Sequence, residues 1–173
     1  ARLAWLSDQF KPKKTTYATI NFVDVAGLVE GAAKKDSFSG KFLAQLRAVD
    51  ALVHVVRAFE DEAVPHPMES VDPARDIRTV ETELILGDLG VVENRMARLQ
   101  QDIDRHRNRA EAEKEMKLMV AIRERLESEQ PLRGMEFTED EQRAIRGYTF
   151  LSAKPMIYAI NLGEGQEFSP AML

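Results

Sequence analysis

Thr19-Ile20-Asn21-Phe22-Val23-Asp24-Val25-Ala26-Gly27 is the stretch on which the fold turns. Its β-branched and aromatic residues predict a strand over Thr19–Val23, and Asp24 to Gly27 is the turn that leaves it. Two more apolar runs, Ala51–Val56 and Met156–Ile160, are nearly continuous, as in strands covered on both faces. Between the first and second runs, Gly40–Val49 sets Phe42, Leu43 and Leu46 on one helical face. Strand, helix and strand at this spacing predict a parallel α/β unit.

The chain changes character at Asp72-Pro73, a helix N-cap followed by proline at the first helical position. Ile77, Val80, Leu84, Val92, Met96, Leu99 and Ile103 recur at helical steps, and Met119, Ile122 and Leu126 resume the stripe after a charged segment. Two long helices folded back as an antiparallel hairpin, turning near Arg107-Asn108-Arg109, are expected. Gly87 and Gly90 are expected to interrupt the first. Gln130-Pro131 ends the second, and Thr138 with Glu141 forms a capping box that opens a short helix through Gly147. The 173 residues are 44% hydrophobic, enough for one sizeable core. A net charge of −5 argues against bulk binding of a polyanion, and no DNA partner is expected. Cysteine is absent, which excludes disulfides and thiolate metal sites and fits a reducing compartment. No apolar run approaches the ~20 residues that cross a bilayer, so no membrane association is expected. Neither an initiator Met nor a signal-peptide pattern opens the chain, which reads as one entered partway through.

Two motifs carry chemistry. An aspartate leaving a strand, as in Asp24-Val25-Ala26-Gly27, organises Mg²⁺ through water in P-loop nucleotide hydrolases. The glycine, having no Cβ, lets its backbone N–H approach the γ-phosphate. The alternative is an ordinary turn after a strand. Asn161-Leu162-Gly163-Glu164 also follows a strand and suits a purine edge, with Asn161 and Glu164 as hydrogen-bonding groups. Its alternative is a polar turn that ends a buried strand. The guanine-specific form of this motif is Asn-Lys-x-Asp, so Leu162 and Glu164 argue against strict guanine specificity. The two motifs, in order and each at a strand end, support each other. Their separation exceeds that of a minimal nucleotide-binding domain, and the helical hairpin accounts for the excess. Ser39-Gly40-Lys41 is not the end of a P-loop, because Lys35 and Phe42 stand where Gly and Ser or Thr are required. Ser152-Ala153-Lys154 precedes the Asn161 strand and so is not the late base-binding loop of GTPases.

Taken together, Phe22–Ala32, Gly40–Ala44, His54–Asp61, Ser152–Pro155 and Asn161–Glu164 resemble the corresponding segments of the Obg-like ATPase (YchF-type) family over nearly the whole chain. The resemblance implies an incomplete three-layer α/β P-loop nucleotide hydrolase core, residues 1–71 and 148–173, with an inserted antiparallel α-helical coiled-coil hairpin, residues 72–147. It implies a cytoplasmic hydrolase of ATP, and of GTP as a second substrate, acting with Mg²⁺ as a ribosome-associated switch. Asp24, Gly27, Asn161, Leu162 and Glu164 are the nucleotide-binding residues it implies, with Asp24 reaching Mg²⁺ through water. Leu28 occupies the place where many GTPases carry the glutamine that orients the attacking water, and the resemblance points to His66 as the catalytic replacement. A solvated loop imidazole between Pro65 and Pro67 is the equal alternative for His66. No Gly-x-x-x-x-Gly-Lys-Ser/Thr, first strand, switch I region or C-terminal TGS domain is present in these residues, so the chain alone is expected to be inactive. The rival reading is a non-enzymatic interaction module whose helical hairpin docks a partner.

Overall fold

The computed structural model describes residues 2–25, 40–66 and 68–170. Helices α1 (Arg2–Phe10) and α2 (Gly40–Arg47) precede strand β1 (Leu52–Arg57), and helices α3 (Pro73–Asp104), α4 (Arg109–Glu127) and α5 (Glu139–Ile145) lead to strand β2 (Met156–Asn161). The two strands pair in parallel, from Leu52 beside Met156 to Arg57 beside Asn161. Parallel neighbours need a long crossover, which the three helices supply.

The start of α3 stems from its sequence. Asp72 is extended (φ −146°) and its carboxylate accepts from the Arg75 N–H at 2.9 Å, while Pro73 needs no amide partner in the first turn. The helix then runs unbroken through Gly87 and Gly90, contrary to the expected interruption. A Cβ on Gly87 would lie 3.2 Å from Leu43 Cδ1, so this glycine lets α2 approach α3 closely. Burial against that neighbour outweighs the weak helix propensity. The reversal takes only Arg105 to Asn108, where His106 and Asn108 adopt left-handed backbone (φ 53° and 41°). α4 then packs back along α3. Ile85, Val92 and Leu99 meet Ala112, Met119, Ile122 and Leu126 in one buried cluster, and Arg95 clasps Glu115 across the pair at 2.7 and 2.8 Å.

A second cluster, Phe42, Leu46, Leu52, Leu84 and Leu151, joins α2, the sheet and the first half of α3. Asp88, one turn beyond Leu84 on α3, is fully buried. Its carboxylate accepts from the N–H groups of Leu151 and Ser152 at 2.9 and 2.7 Å and from the Ser152 hydroxyl at 2.8 Å, with Arg47 3.8 Å away. Burial pushes this carboxyl above its ordinary range, while those same hydrogen bonds oppose the shift. Between α3 and the sheet, Glu81 accepts from the Tyr158 hydroxyl and from Arg133 at 2.7 Å. Burial and then the bond to Glu81 push the Tyr158 hydroxyl up to about 12. Burial pushes the neighbouring His54 down. Thr138 and Glu141 form the expected capping box of α5.

The strand expected at Thr19–Val23 is absent. A strand persists only when its backbone N–H and C=O groups find partners, and β1 and β2 pair with each other alone among the described residues. Ile20, Phe22 and Val23 are accordingly 77%, 84% and 63% exposed. Helix α1, with Trp5 and Phe10 exposed, was not expected from the sequence.

Candidate functional site

Because β1 and β2 are parallel and in register, both chains leave the sheet at the same end, Arg57 into Ala58–Asp61 and Asn161 into Leu162–Gln166. That end of a parallel sheet is where ligands settle in open α/β folds. The Ala58 N–H continues the ladder by donating to the Asn161 carbonyl at 2.8 Å. Beyond it the two loops wall an open cavity of about 700 Å³, with Phe59, Glu60 and Asp61 on one side and Asn161–Glu164 with Gln166 on the other.

Each wall is fixed by one side chain. Arg57 donates to three carbonyls of its own loop, from Nε to Phe59 at 2.8 Å, from Nη1 to Val64 at 2.6 Å and from Nη2 to Asp61 at 3.3 Å. Its guanidinium also lies over the Phe59 ring, 4.6 Å from the centroid, in a cation–π contact. Asp61 turns its loop by accepting from the Ala63 N–H at 2.9 Å. On the opposite wall, the Gln166 amide bridges the loops, with Nε2 donating to the Ala58 carbonyl and Oε1 accepting from the Gly163 N–H, both at 2.9 Å. Gly165 holds a left-handed turn (φ 74°) that favours glycine. Among the described residues, the walls carry Glu60, Asp61 and Glu164 and no lysine or arginine. Such a lining repels phosphate and suits a ligand that offers hydrogen-bond donors.

The structure thus brings Asn161, Leu162 and Glu164 together at the strand ends. It does not bring Asp24 there. Val25, next to it, packs with Met156 against the cluster that includes Leu52, and Leu52 and Met156 are the first residues of the strands, whereas the cavity lies past their last. Among the described residues no strand precedes Asp24, so the strand end expected there is not formed; Gly27 and Leu28 lie outside the described residues. His66 is not among the residues that line the cavity. Its Nδ1 accepts from the Met68 N–H at 3.2 Å, leaving Nε2 to pair with Asp76 of α3 at 3.0 Å. Asp76 is further held by Arg75, at 2.9 and 3.0 Å. Among the described residues no group of three or more His, Asp or Glu side chains is placed to hold a metal ion, and no helix is long and apolar enough to cross a membrane.

Sequence reasoning missed Arg57, Phe59 and Gln166 as parts of the site. The available signal was symmetry: the loop after β1 must face the loop after β2, because parallel strands in register end together.

No protein-family model matches the chain. Over 170 residues, 98% of its length, it is 38% identical to the ribosome-binding ATPase YchF of Bacillus subtilis (strain 168), of which it spans 46%. It is 35% identical over 163 residues to Obg-like ATPase 1 of Oryza sativa subsp. japonica, covering 94% of this chain and 41% of that protein. A solved structure of the Schizosaccharomyces pombe YchF GTPase matches 94% of this chain and 44% of its own, with a TM-score of 0.76 and 32% identity. The chain therefore spans about half the length of the relatives it matches. Over the length it spans, the chain is homologous to the YchF-type Obg-like ATPases.

Proposed function

We propose that the cavity between Phe59 and Glu164 receives the base of ATP or GTP, and that the full-length protein hydrolyses that nucleotide as a cytoplasmic, ribosome-associated switch. The observation that carries this reading is the meeting of Asn161, Leu162 and Glu164 with Phe59 at the ends of two parallel strands. Asn161 presents both a donor and an acceptor, Glu164 only acceptors, which matches the mixed edge of a purine with its exocyclic amine. Leu162 and Phe59 offer apolar and aromatic surface to the ring faces. The acidic lining supports the base end of the ligand here and the phosphate end elsewhere.

The full-length fold proposed is a three-layer P-loop core, residues 1–71 and 148–173, into which residues 72–147 insert as a coiled-coil hairpin. Asp24 and Gly27 are proposed at the phosphate end. That role requires residues 19–24 to add to the sheet as a third strand, a pairing the described residues lack. The chain's own contribution to Mg²⁺ would then be the single Asp24 carboxylate, acting through water, while phosphate oxygens, water and a P-loop hydroxyl would be the ligands. His66 is proposed to orient the attacking water after it leaves Asp76, which now holds it.

Kinetics of the full-length protein test the reading. Glu164→Ala should raise KM for ATP about tenfold, because a charge-assisted hydrogen bond to the base is lost. His66→Ala should lower kcat by roughly 10²-fold with KM little changed. Unaltered kinetics in Glu164→Ala would overturn the base assignment, and unaltered kcat in His66→Ala the catalytic one.

A further inference from the structure

We infer that Gln166 is a positioning residue that sets the selectivity of the base cavity by locking its two walls together, an inference that rests on the cavity being a base site. Among the described residues, Gln166 is the side chain that bonds both loops. Its Nε2 donates to the Ala58 carbonyl and its Oε1 accepts from the Gly163 N–H, each at 2.9 Å. The backbone N–H of Gln166 also donates to the Gly163 carbonyl at 3.0 Å, so side chain and main chain grip Gly163 from the same residue.

Gly163 stands between Leu162 and Glu164, the residues proposed to meet the base. Moving its N–H rotates the Glu164 carboxylate and the Asn161 amide relative to each other. The fit on the far wall is equally tight. A Cβ built on Gly163 would lie 3.2 Å from Phe59 Cβ, closer than ordinary van der Waals contact, and 3.4 Å from Gln166 Oε1. Phe59 is itself braced by Arg57. The spacing between Phe59 and the Asn161–Glu164 loop is therefore fixed by two clasps, Arg57 within one loop and Gln166 between the loops. Only the second reaches across.

A fixed spacing between the walls shows itself in selectivity. Loss of the Gln166 amide leaves Asn161 and Glu164 present but no longer set to one purine edge. In the full-length protein, Gln166→Met, which keeps the chain length but neither hydrogen bond, should raise KM for ATP about fivefold to tenfold with kcat unchanged. The preference between ATP and inosine triphosphate, which differ in the purine 6-substituent and the N1 proton that goes with it, should fall by a similar factor. Inhibition by inorganic triphosphate, which has no base, should not move. Glu164→Ala is measured beside it. If Glu164→Ala discriminates poorly while Gln166→Met keeps wild-type selectivity, the positioning role is wrong and the base site stands. If neither variant changes selectivity, the base site itself fails and the inference with it. A Gln166→Met protein whose kcat falls equally for both nucleotides, with selectivity intact, shows a merely structural role and overturns the inference. Gln166→Ala repeats the test should the longer side chain repack.

Discussion

At the scale of single residues, Glu115 shows how one charged group ties distant elements of this chain together. Glu115 on α4 accepts from Arg95 on α3 and from the Tyr148 hydroxyl at 2.5 Å, so one carboxylate joins both long helices to the segment before β2. The bond from Arg95 above all, with help from Tyr148, holds the Glu115 carboxyl below its usual range against the opposing effect of burial. Burial and the same bond push the Tyr148 hydroxyl up to about 12. A lowered carboxyl stabilises the fold above the unfolded value of about 4.3, and that contribution disappears as pH falls through the lower folded value. Glu115→Gln should therefore melt below wild type at pH 7, with the gap closing as pH drops under about 4. Thermal denaturation from neutral to acid pH would check this, and a gap that stays constant with pH would contradict it. Asp88 was harder to anticipate. Its spacing from Leu84 and Val92 marks it as core-facing, but nothing in the sequence indicates that Leu151 and Ser152, far along the chain, supply its donors.

At the scale of elements, local signals were legible where they act through backbone chemistry. The Asp72-Pro73 start of α3, the Thr138–Glu141 capping box and both strands of the sheet emerge from short-range patterns, and each is present. Propensity marks Gly87 and Gly90 as interruptions, wrongly, because it says nothing of packing. The two glycines separate cleanly in the structure. A Cβ on Gly90 meets nothing within 4 Å, while one on Gly87 meets Leu43 at 3.2 Å. Gly90→Ala should stabilise the chain by about 0.5–1 kcal/mol through reduced freedom of the unfolded chain. Gly87→Ala should gain less or lose, since Leu43 must shift. Urea denaturation of both variants decides it, and equal gains would contradict the close packing of α2 on α3. The Thr19–Val23 strand failed for the complementary reason. Its composition suits a strand, but composition supplies no hydrogen-bond partners, and none lies beside it among the described residues.

At the scale of the whole molecule, the two halves of the proposed nucleotide site separate. The position of Asn161–Glu164 was legible because this segment closes and leaves a strand that pairs with β1, so it depends on one register. The phosphate end was not, because Asp24 and Gly27 need a third strand, and that pairing must come from beyond the two strands described. Similarity to the YchF-type ATPases fits this division, for the chain spans 46% of its Bacillus subtilis relative. If the cavity receives a base, it supplies a few hydrogen bonds, each worth about 0.5–1.5 kcal/mol net, which cannot offset the cost of association. Most nucleotide affinity must come from a cradle of backbone N–H groups and a lysine on the phosphates. Calorimetric titration with Mg-ATP tests this division directly. The 173-residue chain is predicted to give no saturable binding up to about 1 mM ATP. A polypeptide extended at its N-terminus to include a P-loop is predicted to bind and hydrolyse it. Micromolar affinity in the 173-residue chain itself would contradict the account, since it would require a phosphate site within these residues.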